Sequence, residues 1–141
     1  VSPNLSAIEN VRVLGPLRSQ SQIEISKTDT FRLKINPPVR PSGVLEGSAP
    51  MALVGPKGKV FLNEGCIIAN RHIHLPTYLA RKHGLKDNDL VDVSVKSGKP
   101  TKFFDVQVRV HDSFTPEMHI DTDDANACAL QTGDEIKILS K

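Results

Sequence analysis

The sequence predicts a mostly β protein, built as two small β-barrel domains that are capped by short α-helices and related by an internal repeat. Three observations support this fold class. Short stretches of alternating apolar and polar residues recur along the chain. Clusters of Gly, Pro, Asn and Asp separate these stretches, and pairs of segments repeat within the chain. Many short strands with brief helices between them are typical of β-barrels.

Each strand is predicted from its alternation, and each helix from the signals at its ends. Residues 1–7 show no periodicity and are expected to form a loose end. We expect strands at residues 8–14, 22–26, 51–54, 60–62, 65–75, 90–95, 103–110, 118–120 and 135–139. The third and fourth strands should form a hairpin. Helices are expected at 28–34, where residues 28–30 would provide the cap, between Pro76 and Gly84, and at 121–130.

The internal repeat has a shift of 95 residues. Residues 11–13 resemble 106–108, and residues 22–29 resemble 117–124. In this register Glu24 takes the place of His119, because 119 − 24 is 95. Both residue types can bind zinc, so two related metal half-sites would follow if a His-x-His strand completed each of them. The copy of that strand expected for Glu24 is missing from the sequence. A second, shorter repeat relates residues 84–93 to 129–138. Each segment is a helix end followed by a turn and a strand.

Composition excludes several functional classes. The 141 residues carry a net charge of only +2, with one Tyr and no Trp, which argues against a general nucleic-acid surface. No apolar run is long enough for a membrane span, and no secretory signal is present. Cys66 and Cys128 lie in apolar surroundings without metal or redox spacing, which predicts buried thiols in a reducing compartment. The expected location is therefore the cytoplasm.

His72 and His74 stand two residues apart, directly after the apolar run 65–69. On a strand such residues share a face, with Cα atoms roughly 6.6 Å apart. Two imidazoles at this spacing can converge on one ion, but zinc sites normally use at least three protein ligands. The pair alone fits either a metal site or two ordinary strand histidines, and a third ligand decides between them.

Four segments carry the most specific pattern in the chain. They are Val13-Leu14-Gly15-Pro16-Leu17-Arg18-Ser19, Pro37-Pro38-Val39-Arg40-Pro41-Ser42-Gly43, Arg71-His72-Ile73-His74 and Glu117-Met118-His119-Ile120-Asp121-Thr122-Asp123-Asp124-Ala125-Asn126. In sequence and in order, these segments resemble the PduL-type phosphotransacylases, which are phosphate propanoyltransferases associated with bacterial microcompartments. The resemblance runs from about Ile8 to the C-terminus.

The resemblance implies a two-zinc active site between two β-barrel domains. It also implies reversible transfer of a short, propanoyl-like acyl group between coenzyme A and inorganic phosphate. One zinc ion would be bound by His72, His74 and His119. The other would be bound by Glu24 together with an earlier His-x-His strand, which this chain lacks.

The resemblance also assigns substrate contacts. Arg18 matches the catalytic arginine that binds phosphate, and Gln22, Ser42 and Arg109 match polar residues of the pocket. The chemistry suits these types: zinc stabilises a leaving thiolate or polarises a carbonyl, and a guanidinium holds phosphate through two parallel hydrogen bonds. We therefore expect phosphate to attack the thioester carbonyl directly.

Each of these residues also has an ordinary structural explanation. Glu24 fits an exposed strand carboxylate, Arg18 fits a turn, and Ser42 fits the Pro- and Gly-rich loop. Gln22 and Arg109 fit the wall of a barrel. His83 suits the last turn of a helix, His111 suits a loop, and Asp121 suits either a helix cap or a residue that orients a ligand imidazole.

Compared with the family pattern, this chain is shortened at its N-terminus. We expect a first barrel at residues 1–69, shortened, and a second at 70–141 that carries the His-x-His site and lacks its first strand. An unpaired sheet edge favours homo-oligomerisation or pairing with a separate N-terminal segment. The resemblance adds microcompartment shell or cargo proteins as partners, and it implies the bacterial cytoplasm or the microcompartment lumen as the location.

Two other functions stay open. The chain can be a non-enzymatic zinc-binding β-barrel module, in which zinc serves stability or assembly. It can also be a zinc hydrolase, in which water takes the open metal position.

Overall fold

The computed structural model describes residues 1–139. The chain divides into two compact units, Val1–Ala69 and Asn70–Lys141. Strands dominate both units and the helices are short, which confirms the mostly β fold class. No helix among residues 1–139 is both long enough and apolar enough to cross a membrane.

The elements of the first unit are β1 (Ile23–Glu24), α1 (Lys27–Leu33), β2 (Val39–Arg40), β3 (Ala49–Gly55) and β4 (Gly58–Ala69). Strand β4 is the centre of this unit. It forms the predicted antiparallel hairpin with β3, and its last residues pair in parallel with β1 on one side and β2 on the other. Leu33, Met51 and Cys66 form the core of this unit, with Ile23 packed against them.

The elements of the second unit are β5 (His72–Leu75), α2 (Thr77–Lys82), β6 (Leu90–Val95), β7 (Thr101–Val110), β8 (Glu117–His119), α3 (Thr122–Cys128) and β9 (Ile136–Leu139). The strands form one sheet in the order β8-β5-β7-β6-β9. Its core includes Ile73, Val93, Val106 and Val108, each at most 2% exposed. Strands β6 to β9 match the predicted ones closely because their alternation buries one complete apolar face. The predicted strand 65–75 was wrong: it is interrupted at residues 70 and 71, so that 65–69 belong to β4 and only 72–75 form β5.

The 95-residue repeat is preserved in the geometry around two helices. Helix α1 spans Lys27–Leu33 and α3 spans Thr122–Cys128, so both ends are related by the same shift. Each is followed by a residue with left-handed backbone conformation, Lys34 (φ 53°) and Ala129 (φ 52°). The side chains that cap the two helices, Ser26 and Asp121, are also 95 residues apart.

Three predictions for the first unit were wrong. The cap of α1 is Ser26, two residues before the expected range 28–30, because its hydroxyl and the Asp29 carboxylate form a reciprocal capping box. Residues 8–14 do not form a strand: Asn10 has a φ of 57°, which interrupts the extended backbone, and Val13 is 93% exposed. Residues 1–7 are not loose, because the Val1 carbonyl accepts a hydrogen bond from the Ala52 amide at 2.8 Å.

Candidate functional site

One face of the strands β8, β5 and β7 is polar. His72 is opposite both His119 and Gln107, and His74 is opposite both Glu117 and Arg109. Directly paired residues share a face, and so do residues two apart on one strand. The register therefore places the six side chains on one surface of the sheet. The residues between them, such as Ile73 and Val108, point into the core.

Three imidazoles meet on this face. The ring centroids are 5.0 Å apart for His72 and His74, 5.0 Å for His72 and His119, and 4.4 Å for His74 and His119. One nitrogen from each ring lies within 4.8 Å of the others. The structure thus brings together all three histidines that the sequence nominated as ligands of one ion.

The orientation of His72 is fixed by its own backbone. Its Nδ1 lies 2.9 Å from the carbonyl oxygen of Asn70. A carbonyl can only accept, so Nδ1 carries the proton, and the lone pair of the ring is on Nε2. This is the usual arrangement of a metal-binding histidine, whose second nitrogen donates to a carbonyl or carboxylate.

A chain of side-chain amides supports Asn70. The Asn70 Nδ2 donates to Gln107 Oε1 at 3.1 Å, and the Gln107 Nε2 donates to Asn88 Oδ1 at 2.8 Å. Gln107 is 9% exposed and lies opposite His72 in the sheet. Sequence reasoning missed this chain, because it joins three residues that only the strand register brings together.

His74 lies in an environment that disfavours its charged form. Burial, with the nearby His119 and His72, lowers its pKa from 6.5 to about 4. Its ring also stacks on Phe114, with centroids 4.0 Å apart and planes at 12°. His74 is therefore neutral at pH 7, the form that binds metals, and Phe114 restrains its ring. No pattern in the sequence pointed to Phe114, which follows β7 in a loop.

The Nε2 of His119 is enclosed but unsatisfied. It makes no hydrogen bond within residues 1–139, although Glu117 Oε1 lies 3.1 Å away. An enclosed polar atom without a partner is costly unless something binds it. Three imidazoles, one with an unsatisfied nitrogen, fit a zinc ion with three protein ligands and one open position.

Arg109 lies on the same face of the sheet as these rings. It is opposite His74, and its Nε is 3.9 Å from Asp87 Oδ1, which also accepts from the Val110 amide at 2.8 Å. The second unit therefore places a guanidinium on the face that carries the three histidines.

The first unit contains a separate polar cluster. Ser42 Oγ accepts from Arg18 Nη1 at 3.0 Å and from Gln22 Nε2 at 2.9 Å. Gln22 also donates to Glu24 Oε1 and accepts from the Gly43 amide at 2.7 Å. The structure thus brings together the four residues of this unit that were predicted to belong to the site. Within residues 1–139, no group of three metal-binding side chains includes Glu24.

The remaining candidates have structural contacts. Asp121 accepts a hydrogen bond from the Asp124 amide at 2.8 Å and caps α3. His83 is the residue that ends α2. His111 lies in a loop, with its Nδ1 2.7 Å from Ser113 Oγ.

Comparison with known proteins shows which family this chain is similar to. The family model described as phosphate propanoyltransferase matches residues 1–131. Proteins named phosphate propanoyltransferase are 53% identical to the chain in Lachnoclostridium phytofermentans, 52% in Thermotoga maritima and 42% in Clostridioides difficile. The alignments cover 99%, 94% and 96% of this chain, and 65%, 64% and 65% of the relatives. The chain therefore spans slightly less than two thirds of the length of these relatives.

Proposed function

This chain belongs to the phosphate propanoyltransferase family, and on that premise we propose that it transfers a short acyl group between coenzyme A and inorganic phosphate at a zinc site. Propanoyl-coenzyme A is the proposed thioester. The observation that carries this proposal is the meeting of His72, His74 and His119 on one sheet face, with Arg109 beside them. The two compact units are the proposed barrel domains, divided after residue 69.

The three histidines are the proposed zinc ligands. When bound, zinc supplies Lewis acidity for a carbonyl oxygen and a soft partner for a thiolate sulfur. The protein keeps the rings ready for this role: Asn70 fixes the tautomer of His72, and burial keeps His74 neutral. Glu117, which lies 3.1 Å from His119 Nε2, favours a positively charged neighbour and so supports cation binding.

Arg18 is the proposed phosphate-binding residue. Its Nη1 is held by Ser42, and Ser42 is held in turn by Gln22, so the guanidinium is oriented before phosphate arrives. A guanidinium suits the spacing of two phosphate oxygens. Arg109 supplies a second positive charge for the phosphates of coenzyme A or for the oxygen of the acyl carbonyl.

The proposed reaction needs no covalent enzyme intermediate. A phosphate oxygen attacks the carbonyl carbon of the thioester, the carbon–sulfur bond breaks, and coenzyme A leaves as the thiolate. The product is acyl phosphate. Cys66 and Cys128, both 0% exposed, are unsuited to act as nucleophiles. Burial also raises the pKa of the Cys66 thiol to about 11, which keeps it protonated.

A non-enzymatic zinc-binding module is the second candidate. It is favoured by one observation: Glu24 is engaged by Gln22 and belongs to no three-ligand group within the described residues. One zinc ion per chain without turnover would match that function, because a single half-site then serves structure alone.

Acyl transfer is tested with the zinc-loaded chain, propanoyl-coenzyme A and inorganic phosphate. We expect thiol and acyl phosphate to form in equal amounts, with acyl phosphate trapped as a hydroxamate. His119→Ala should abolish both products, and His83→Ala, at an exposed histidine outside the cluster, should not. Thiol release without acyl phosphate would instead identify a hydrolase. Bound zinc with neither product would contradict acyl transfer and support the module.

A further inference from the structure

Arg40 lies at the end of β2 and shares a sheet face with Glu24. Arg40 is opposite Ala69 on β4, and Glu24 is opposite Ile67 on the other side of the same strand. Residues 67 and 69 are two apart, so their side chains and those of their partners point to one side. Strands β1 and β2 are separated by β4, which places them about 9–10 Å apart.

The guanidinium of Arg40 is only partly satisfied. Its Nε is enclosed and has no hydrogen-bond partner within residues 1–139, and Arg40 forms no ion pair in that range. An arginine keeps its charge at any relevant pH, so it cannot avoid this cost by losing a proton. Enclosing an N–H of a charged group costs free energy unless an acceptor, preferably an anion, binds it.

The neighbouring groups also favour an anion. Arg40 is two residues before Ser42, which accepts from both Arg18 and Gln22, and the Gly43 amide donates to Gln22. Arg18 thus contacts Ser42 directly, and Arg40 is only two residues from Ser42 along the chain. The Glu24 carboxylate is engaged by Gln22 and forms no ion pair with either arginine.

We propose that Arg40 is a second phosphate-binding guanidinium of the first unit, in addition to Arg18. This inference rests on the proposed function and adds a residue that the sequence patterns did not nominate. A phosphate dianion has enough acceptor oxygens for two guanidinium groups, and each charge-assisted hydrogen bond adds affinity and fixes orientation. The phosphate comes either from inorganic phosphate or from coenzyme A.

The test measures binding of inorganic phosphate to the full chain by calorimetry. Arg40→Gln should weaken phosphate binding by about tenfold or more, since it removes hydrogen bonds to a charged group. Arg40→Lys should recover part of the affinity, because the charge remains and the two-pronged geometry is lost. The control is Arg32→Gln, at an exposed arginine of α1, and it should bind phosphate like the parent chain.

A second measurement needs no variant and therefore does not depend on folding of the mutants. Phenylglyoxal modifies arginine side chains, and mass spectrometry locates the modified residue. Phosphate should slow modification at Arg40 and leave Arg32 unchanged. Equal modification of Arg40 with and without phosphate, and with and without coenzyme A, would overturn the inference.

The source of the phosphate is separated by comparing coenzyme A with pantetheine, which lacks the nucleotide phosphates. If Arg40→Gln weakens binding of inorganic phosphate but not of coenzyme A, Arg40 contacts the phosphate that accepts the acyl group. Weaker binding of coenzyme A, with pantetheine unchanged, assigns it to the phosphates of the cofactor. If Arg40→Gln alters neither, the inference fails while acyl transfer can still be observed. Conversely, Arg40→Gln can lose phosphate binding while the parent chain shows no acyl transfer. That result supports the inference about Arg40 and rejects only the proposed reaction.

Discussion

The two copies of the repeated segment differ mainly in what lies beside them. Both have a short strand, a capping side chain, a seven-residue helix and a left-handed residue at the end of that helix. In the second unit, β8 is antiparallel to β5, so His119 is opposite His72. In the first unit, β1 is parallel to β4, so Glu24 is opposite Ile67.

This difference shows that the repeated segment contributes only one candidate ligand. The other candidate ligands come from the neighbouring strand, if it carries them. His119 meets two further imidazoles because β5 carries His72 and His74 two residues apart. Glu24 is instead paired with Ile67 in the sheet and accepts a hydrogen bond from the side-chain amide of Gln22. The same local fold therefore contributes to a three-histidine cluster in one unit and to a polar cluster of another composition in the other.

The largest expected effect comes from removing one of the imidazoles. His119→Ala should weaken zinc binding by more than about 100-fold, since loss of a group that only supports a ligand already costs about 10–100-fold. Glu24→Ala should leave the affinity of that ion unchanged. Competition with a chelator measures both constants. An equal loss in the two variants would contradict the distinction drawn between the units.

The next effect concerns the amide chain behind His72. Gln107→Leu keeps the side chain similar in volume but removes the hydrogen bonds to Asn70 and Asn88, so we expect zinc binding to weaken about 10–100-fold. Gln131→Leu is the matched control, because that glutamine is exposed. Unchanged affinity in a folded Gln107→Leu chain would show that β5 orients His72 unaided.

A smaller effect is expected at the helix caps, where the two units should behave alike. Ser26→Ala and Asp121→Ala each remove a side chain that accepts from the amide three residues later. Each substitution should lower the free energy of unfolding by about 1 kcal/mol. Denaturant titration provides the measurement. A much larger loss at Asp121 would indicate that it also supports His119.

The smallest effect concerns thiol reactivity. Because burial raises the pKa of Cys66 to about 11, its thiol stays protonated at pH 8, and the reactive thiolate is scarce. Iodoacetamide should therefore leave Cys66 unmodified in the folded chain at pH 8 and modify it after unfolding in guanidinium. Rapid alkylation of the folded chain would show that this part of the core opens readily.

Much of the second unit could be predicted from the sequence. The alternation in residues 90–95 and 103–110 determined which face is buried, and the spacing of His72 and His74 placed both rings on the other face. The meeting with His119 followed from the family resemblance, since spacing alone cannot bring residue 119 to residue 72.

What the sequence could not predict depends on contacts between distant residues. The amide chain through Asn70, Gln107 and Asn88 exists only because β5 and β7 pair in one register. In the first unit, residues 8–14 alternate like a strand, yet Asn10 in the left-handed region interrupts them. Residues 1–7 lack any pattern, yet Ser2 is 3% exposed and Val1 pairs with Ala52.

X-ray absorption at the zinc edge tests the central claim most directly. A chain loaded with one equivalent of zinc should show three imidazole nitrogens at about 2.0–2.1 Å and one further ligand atom from solvent or substrate. The imidazole signal should diminish in His72→Ala, His74→Ala and His119→Ala, and persist in His83→Ala. A spectrum without imidazole scattering, or one altered by Glu24→Ala, would contradict the three-histidine site.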